Sequence, residues 1–466
     1  GDDRALIALD ELRADGLLCR AQVIVIEPEH ILLSGATQLT LGGAGWTSAA
    51  PANVVLDLAT GTMTVADAAA EPLAIGAAER ATVERLLSAE PELPASEAAA
   101  GAAAATEPRW RTQFPEPGEV RRLQSADLDG DGTPELLVAQ GRWFHCLNMD
   151  GSMRWSYAAD NTVLDVADVQ ARETPGREVA LASADTKLHL LSATGELIDT
   201  YQPTAPPHSQ TFGDRPWILW VVEGADVDGD GLDELLTVMD QYSFIAIDQD
   251  GTRLWEYTQV AHGALDIGFA DWDGDGTDEI FVSDRYGFVH GVTLEGKRAF
   301  IGYSSIGDVQ FAVAPLATDR PSVIYGSSTG DLLTRGNDGE IAWRFDNFGY
   351  AVRRIRAGDI TGDGSSEVLV ASDTGYLYAL DAAGGELWRD RAGFAVNDAA
   401  LADTDGDGRA EVLAASEDGL VRVYAGDGSV RREIATGAAA KLLCIPTPGA
   451  GAQVAVATGA GEVVAF

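Results

Sequence analysis

Apolar positions in the first part of the chain fall in short runs rather than one sustained period. Leu, Ile and Ala at helical spacing over 3–13 predict a short amphipathic helix, and a second helix is predicted over 76–90. Between them, AQVIVIE (21–27), HILLS (30–34), ATQLTL (36–41) and NVVLDL (53–58) are β-like. These elements predict a small α+β domain over 1–92, suited to docking, with no catalytic constellation in it. Residues 93–108, rich in Ala, Glu and Pro, read as a linker.

From Trp110 onward the pattern becomes a repeat. One unit runs through ELLVAQ (135–140), FHCLNM (144–149), a hairpin turn at Asp150 and Gly151, and MRWSY (153–157). The turn and the Trp that follows recur at Trp255, Trp343 and Trp388, and this Trp is expected to pack between neighbouring sheets. An acidic loop precedes the unit; its first Asp recurs at Asp127, Asp226, Asp271, Asp359 and Asp403. Neighbouring copies lie 45 or 44 residues apart, and the 88 residues from Asp271 to Asp359 are two periods. Degenerate copies fill the gaps at 167–197, 315–343 and 444–466. A period of this length with four short β runs is the signature of a propeller. The last copy lacks its Trp strand, and RWRTQF (109–114) can supply it, sealing the ring. The expectation is an all-β, eight-bladed β-propeller over 109–466, with seven blades as the alternative.

The five acidic loops read DLDGDGTPE, DVDGDGLDE, DWDGDGTDE, DITGDGSSE and DTDGDGRAE. Oxygen side chains at positions 1, 3 and 5, a Gly and a Glu at position 9 suit a hard cation that takes six to eight oxygens. An EF-hand would need a bidentate Glu at position 12 and flanking helices. Position 12 is Val138, Thr237, Val282, Val370 or Ala414, and each loop runs into a β-like segment. These are cation loops between strands.

These D-x-D-G-D-G-x-x-E-L-x-V units resemble the FG-GAP/VCBS repeats of integrin-α-type calcium-binding propellers. The resemblance covers roughly three quarters of the chain and implies about five Ca²⁺ sites, each between the first two strands of a blade. The ligands it implies are Asp127, Asp129, Asp131 and Glu135, with the Thr133 carbonyl at position 7. The second and third sets are Asp226, Asp228, Asp230, Leu232 and Glu234, then Asp271, Asp273, Asp275, Thr277 and Glu279. Asp359, Thr361, Asp363, Ser365 and Glu367 form a fourth set, weakened by Thr361 in place of an acid. Asp403, Asp405, Asp407, Arg409 and Glu411 form the fifth. Such loops brace blades and fill at roughly 10⁻⁴–10⁻³ M calcium in extracellular modules. The resemblance therefore places the protein outside the cell, at its surface or in the periplasm, with any leader not part of this chain.

A formal charge of −41 bears on partners. The loops hold 19 ligand-position carboxylates, and the ten charges of five Ca²⁺ ions would still leave −31. Nucleic acid and anionic membranes need a basic face and are disfavoured. No apolar run is long enough to span a bilayer. Cys19, Cys146 and Cys444 have no metal or redox spacing and read as free thiols, with a Cys146–Cys444 bridge left open.

Recognition is expected on the face opposite the cation loops. There the connection 202–217 is long and carries His208, Arg215 and Trp217. The turns between second and third strands add Trp143, Tyr242, Arg285, Tyr286 and Tyr376. Aromatic faces beside hydrogen-bonding groups suit a sugar or peptide. The main reading is a non-catalytic binding, adhesion or assembly module for a protein or carbohydrate ligand. One alternative is a polysaccharide lyase resembling eight-bladed rhamnogalacturonan lyases, with His208, His262 or His290 as base and Arg215 on the sugar carboxylate. Another is a quinoprotein dehydrogenase, because ALDAAGGELW (379–388) and AIDQDGTRLW (246–255) resemble the Trp-docking repeats of those enzymes.

Overall fold

The computed structural model describes the strand backbones between Ala5 and Ala74, and residues 107–466 apart from 204–216, 241, 305–306, 317–320, 329, 338, 348–349, 393–394 and 448–451. The chain divides into two compact units, Gly1–Ala95 and Ser96–Phe466. Every regular element described is a strand. No described helix is long and apolar enough to cross a membrane.

The first unit holds one eight-stranded antiparallel sheet. Of the runs expected to be β, 21–27 falls on strand Val23–Ile26 and the others on the long strands His30–Leu41 and Ala44–Asp57. The helix expected over 3–13 is not formed. Its place is taken by strands Ala5–Ile7 and Leu12–Ala14. Ala5, Leu6 and Ile7 pair with Ile26, Val25 and Ile24, so an adjacent apolar strand captures a run too short to hold a helix by itself. The unit is therefore β rather than α+β among its described residues. The helix expected over 76–90 lies outside them.

The second unit is a propeller of eight four-stranded sheets, each in simple up-and-down order. Blades 1 to 7 begin at Val120, Val163, Leu219, Ile267, Val309, Val352 and Val396. Blade 8 is Ala440–Cys444, Ala455–Thr458 and Glu462–Ala465, completed by Trp110–Gln113 from the start of the repeats. Ala465 pairs with Trp110 and Glu462 with Gln113, so the two ends of the repeat region share one sheet and no blade edge stays open there.

Second strands such as Glu135–Gln140 and Glu367–Ser372 are buried along their whole length, because blades cover both faces. Outermost strands alternate, as in Ile341–Asp346. The repeated Trp packs between sheets as expected. Trp155 donates from Nε1 to the Ala193 carbonyl, 2.9 Å away in the hairpin turn of the next blade. Trp110, Trp343 and Trp388 do the same to Met149, Ala382 and Gly426. The indole lies on the turn glycine: a Cβ on Gly195 would sit 2.5 Å from the Trp155 ring, and Gly195 has a φ of +82°. Glycine is needed there twice, for the turn and for the close approach.

Near the axis the first strands are tied together by charge. Asp165, buried, takes Arg122 from blade 1 and the Val222 N–H from blade 3. Asp398 repeats this between Arg354 and the Leu443 N–H. Cys146 and Cys444 are free and buried, so the bridge between them is not formed. Burial pushes the Cys146 thiol up to about 12 and the Cys444 thiol to about 11, which leaves both unreactive.

Candidate functional site

In this strand order, the turns between strands 1 and 2 and between strands 3 and 4 share one end of each blade. The turns between strands 2 and 3, and the connections to the next blade, share the other. The acidic loops and the expected recognition residues therefore lie on opposite faces.

All five loops are built alike. In the first, Asp127 accepts the Gly130 N–H on Oδ1 and the Gly132 N–H on Oδ2, both at 2.8 Å. Asp129 accepts from Asp131, Asp131 from Thr133, and Glu135 Oε2 from Leu128 at 3.0 Å. Asp226, Asp271, Asp359 and Asp403 hold the same pair of glycine N–H groups in their loops. Glycines at positions 4 and 6 have positive φ throughout, from +74° at Gly130 to +93° at Gly276. Positions 5 and 7 are linked by Leu232, Thr277, Ser365 and Arg409 donating to Asp230, Asp275, Asp363 and Asp407.

In the first loop Asp129, Asp131 and Glu135 thus each spend one oxygen on the loop backbone, while Asp127 spends both. Ligand atoms of Asp127, Asp129 and Glu135 come within 4.8 Å of one another, as do those of Asp226, Asp228 and Asp230; of Asp271, Asp273 and Glu279; and of Asp403, Asp405 and Glu411. The loop with Thr361 is not among these convergent sets, in keeping with its missing acid. Burial raises the carboxyl groups of Glu135, Glu234, Glu279 and Glu367 above the usual range. An all-oxygen donor set on a tight glycine turn fits Ca²⁺. Blade 2 shows the degenerate form: Gln170 Nε2 donates to the Arg172 carbonyl, and Thr174 caps Glu178 where acids would stand.

On the opposite face, three of the six expected recognition residues come together at the junction of blades 3 and 4. His262 lies between Tyr242 and Tyr286, its ring 5.3 and 4.9 Å from theirs, and Tyr242 O–H is 3.3 Å from His262 Nε2. Tyr286 and His262 are exposed. The Arg285 guanidinium lies 4.6 Å over the Trp220 ring and is held by Asp308 at 2.9 Å. Trp220 Nε1 donates to Asp240. Tyr242 and His262 have φ values of +60° and +59°, a left-handed backbone that side chains other than glycine rarely adopt. Strain of this sort collects where a site needs a fixed geometry.

The other expected residues lie elsewhere. Trp143 is on blade 1, donating to Glu116. Tyr376, on blade 6, is buried against Tyr378, and Trp217 is buried in the packing of blades 2 and 3. His208 and Arg215 lie outside the described residues. His290 is fully enclosed between Asp284 and the Tyr257 hydroxyl, a packed position rather than an open one. Asp308 escaped the sequence reading because nothing local marks a connection residue as the partner of Arg285. The axial Arg122, Asp266, Arg354 and Asp398 escaped it too, although each stands five residues before a loop Asp.

A family model of the λ-carrageenase β-propeller domain matches residues 106–216 and 322–392, under half of the chain. λ-Carrageenases of Pseudoalteromonas sp and Pseudoalteromonas carrageenovora are 24% and 23% identical to this chain over 245 residues. That stretch is 48% of this chain and 22% of each relative, so the match spans about a fifth of their length. Among solved structures, Saccharomyces cerevisiae Sqt1 is similar at a TM-score of 0.59 and 12% identity, over 78% of this chain and 99% of that one. BamB from Moraxella catarrhalis is similar at 0.51 and 15%, over 76% and 97%. These structural likenesses bear on the propeller fold alone. The two stretches matched by the family model leave out 217–321, which carries the cluster on blades 3 and 4.

Proposed function

We propose that this chain is a calcium-braced β-propeller of FG-GAP/VCBS type, a binding module working outside the cytoplasm that recognises a polysaccharide at the junction of blades 3 and 4. The observation that carries the reading is the cluster of Tyr242, His262, Tyr286, Trp220 and Arg285. It offers exposed ring faces beside a guanidinium already fixed by Asp308. Flat apolar faces flanked by fixed hydrogen-bonding groups are what a sugar ring needs. The likeness of the neighbouring blades to λ-carrageenases supports a glycan over a protein as the ligand class.

Binding suits the cluster better than cleavage. Glycoside hydrolysis needs two carboxyl groups facing one bond. Here Asp284 is buried and saturated by the N–H groups of Ala261, Tyr286 and Phe288, while Asp308 is committed to Arg285. The metal would be held by the position 1, 3, 5 and 9 carboxylates, and its chemistry there is to neutralise them and fix the turn. Millimolar calcium outside the cell would keep such loops filled. Residues 1–92 are left as a docking domain.

Affinity electrophoresis in calcium buffer tests the reading, using λ-carrageenan and a neutral galactan. The expected result is retardation by one or both gels, lost in Tyr286→Ala and Trp220→Ala, with the polysaccharide left at full length. Retardation unchanged in both variants would move the site elsewhere. No retardation by either polymer would sink the glycan reading.

A further inference from the structure

Every blade with an acidic loop has a β-bulge at the start of its outermost strand. The register shifts fall at Cys146/Leu147, Ala246/Ile247, Gly291/Val292, Ala379/Leu380 and Val423/Tyr424. The extra residues are Arg154, Leu254, Ala299, Leu387 and Arg431. A bulge re-aims the side chain at its unpaired residue. In blades 1 and 7 that side chain is a guanidinium, and it lands on the loop.

Arg154 Nη2 is 2.5 Å from Asp129 Oδ2, and its Nη1 donates to Glu135 Oε1. Arg431 Nη1 is 2.8 Å from Asp405 Oδ2 and 3.6 Å from Glu411 Oε1. These are positions 3 and 9, and the oxygens are the ones the loop backbone does not use. Asp129 Oδ1 and Glu135 Oε2 take the N–H groups of Asp131 and Leu128, and Asp405 Oδ1 and Glu411 Oε2 take those of Asp407 and Thr404. In blades 3 and 4 the same position holds the exposed Leu254 and the small Ala299, neither of which brings a charge.

We propose that the bulge residue sorts the loops into two kinds: those of blades 1 and 7 are closed by a built-in guanidinium, and those of blades 3 and 4 depend on the metal. The inference rests on the calcium reading above. A guanidinium and a divalent ion cannot share the same oxygens without strong repulsion. Blade 6 stands apart, with Thr361 in its loop and the Arg409 side chain lying beside Gly362. The two arginine-closed blades flank blade 8, where the two ends of the repeat region meet. The ring's closure is thus held without metal, while the blades that carry the recognition cluster are held with it.

Calcium equilibrium dialysis on the full chain tests this. Wild type is expected to take up two tight equivalents, in the loops of blades 3 and 4. Arg154→Leu with Arg431→Leu should raise the count to four, with affinity at the freed loops up by about tenfold or more, since charged hydrogen bonds are being removed from competition. Leu254→Arg should lower the count to one, and it keeps the test open if the double variant fails to fold. Amide exchange in chelator gives a second readout. Gly130 and Gly132 should stay protected while Gly229 and Gly231 open, and Arg154→Leu should open the first pair. Four tight equivalents in wild type, or a count and protection unchanged by every variant, would overturn the sorting while leaving the calcium reading intact. No uptake by any of these proteins would overturn the calcium reading, and this one with it.

Discussion

Replacing Gly195 by Ala tests whether the indole of one blade seated on the turn of the next is a main inter-blade tie. The new Cβ would lie 2.5 Å from the Trp155 ring, and the backbone there has a φ of +82°. Gly339 is the matched control. It occupies the same turn in blade 5 at a φ of +80°, and a Cβ there meets nothing within 4 Å. Both substitutions carry the left-handed backbone cost of about 1–2 kcal/mol. Only Gly195→Ala also displaces the indole, losing the Nε1 bond to Ala193 at about 1 kcal/mol and overpacking the contact by about 1–3 kcal/mol. Gly195→Ala should therefore be destabilised by roughly 2–4 kcal/mol beyond Gly339→Ala. Urea denaturation of the two variants side by side, at fixed calcium, reads the difference. Equal losses would refute the argument, because backbone strain would then be the whole effect.

Three other outcomes are expected. His145, stacked on Phe114 with ring centroids 4.4 Å apart, is held down to about 4 by burial. It stays neutral in the folded protein while the unfolded chain protonates near 6.5, so stability should fall as pH drops from about 6.5 to 4, by about 3 kcal/mol at most. His145→Phe should flatten that part of a pH-stability curve, and an unchanged slope would count against it. Arg122→Met should cost about 3–5 kcal/mol at neutral pH by leaving the buried Asp165 carboxylate without its charge partner. The loss should shrink in acid, where that carboxyl protonates, and a pH-independent loss in calorimetry would contradict it. Chelator should lower the melting temperature of wild type, and Asp271→Ala should remove part of that response. A melting point indifferent to chelator would argue against a bracing role for the loops.

The repeat region was legible because its signals are local and repeated. A spacing of 44 or 45 residues, a glycine turn and a following Trp each specify a blade feature without reference to anything distant. The eighth blade could be counted from a missing strand at one end and a spare one at the other. The first unit was less legible: Leu6 and Ile7 fit a helix or a strand equally well, and pairing with Val25 and Ile24 decides between them. The placement of the residues expected on the face opposite the loops was half legible. Tyr242, Arg285 and Tyr286 sit on turns whose neighbours could be inferred, but whether an aromatic at a turn faces out like Tyr286 or in like Tyr376 is settled by packing between blades. Arg154 and Arg431 read as ordinary outer-strand residues until the bulge shows where they point.

The seated aromatic does not occur at every joint. Trp155, Tyr201, Trp255, Trp343, Trp388 and Trp110 lie on Gly195, Gly251, Gly296, Gly384, Gly428 and Gly151, each one blade ahead. Blade 4 offers Phe300, which packs with Trp272 and Phe281 of its own blade, and blade 7 offers Arg432 at that position. The ring is thus two riveted arcs, blades 8 through 4 and blades 5 through 7, meeting at two joints that lack the rivet. At those two joints apolar packing joins the blades without a seated aromatic. A ligand held at blades 3 and 4, as proposed, would load the last two members of the longer arc, directly beside the joint with blade 5.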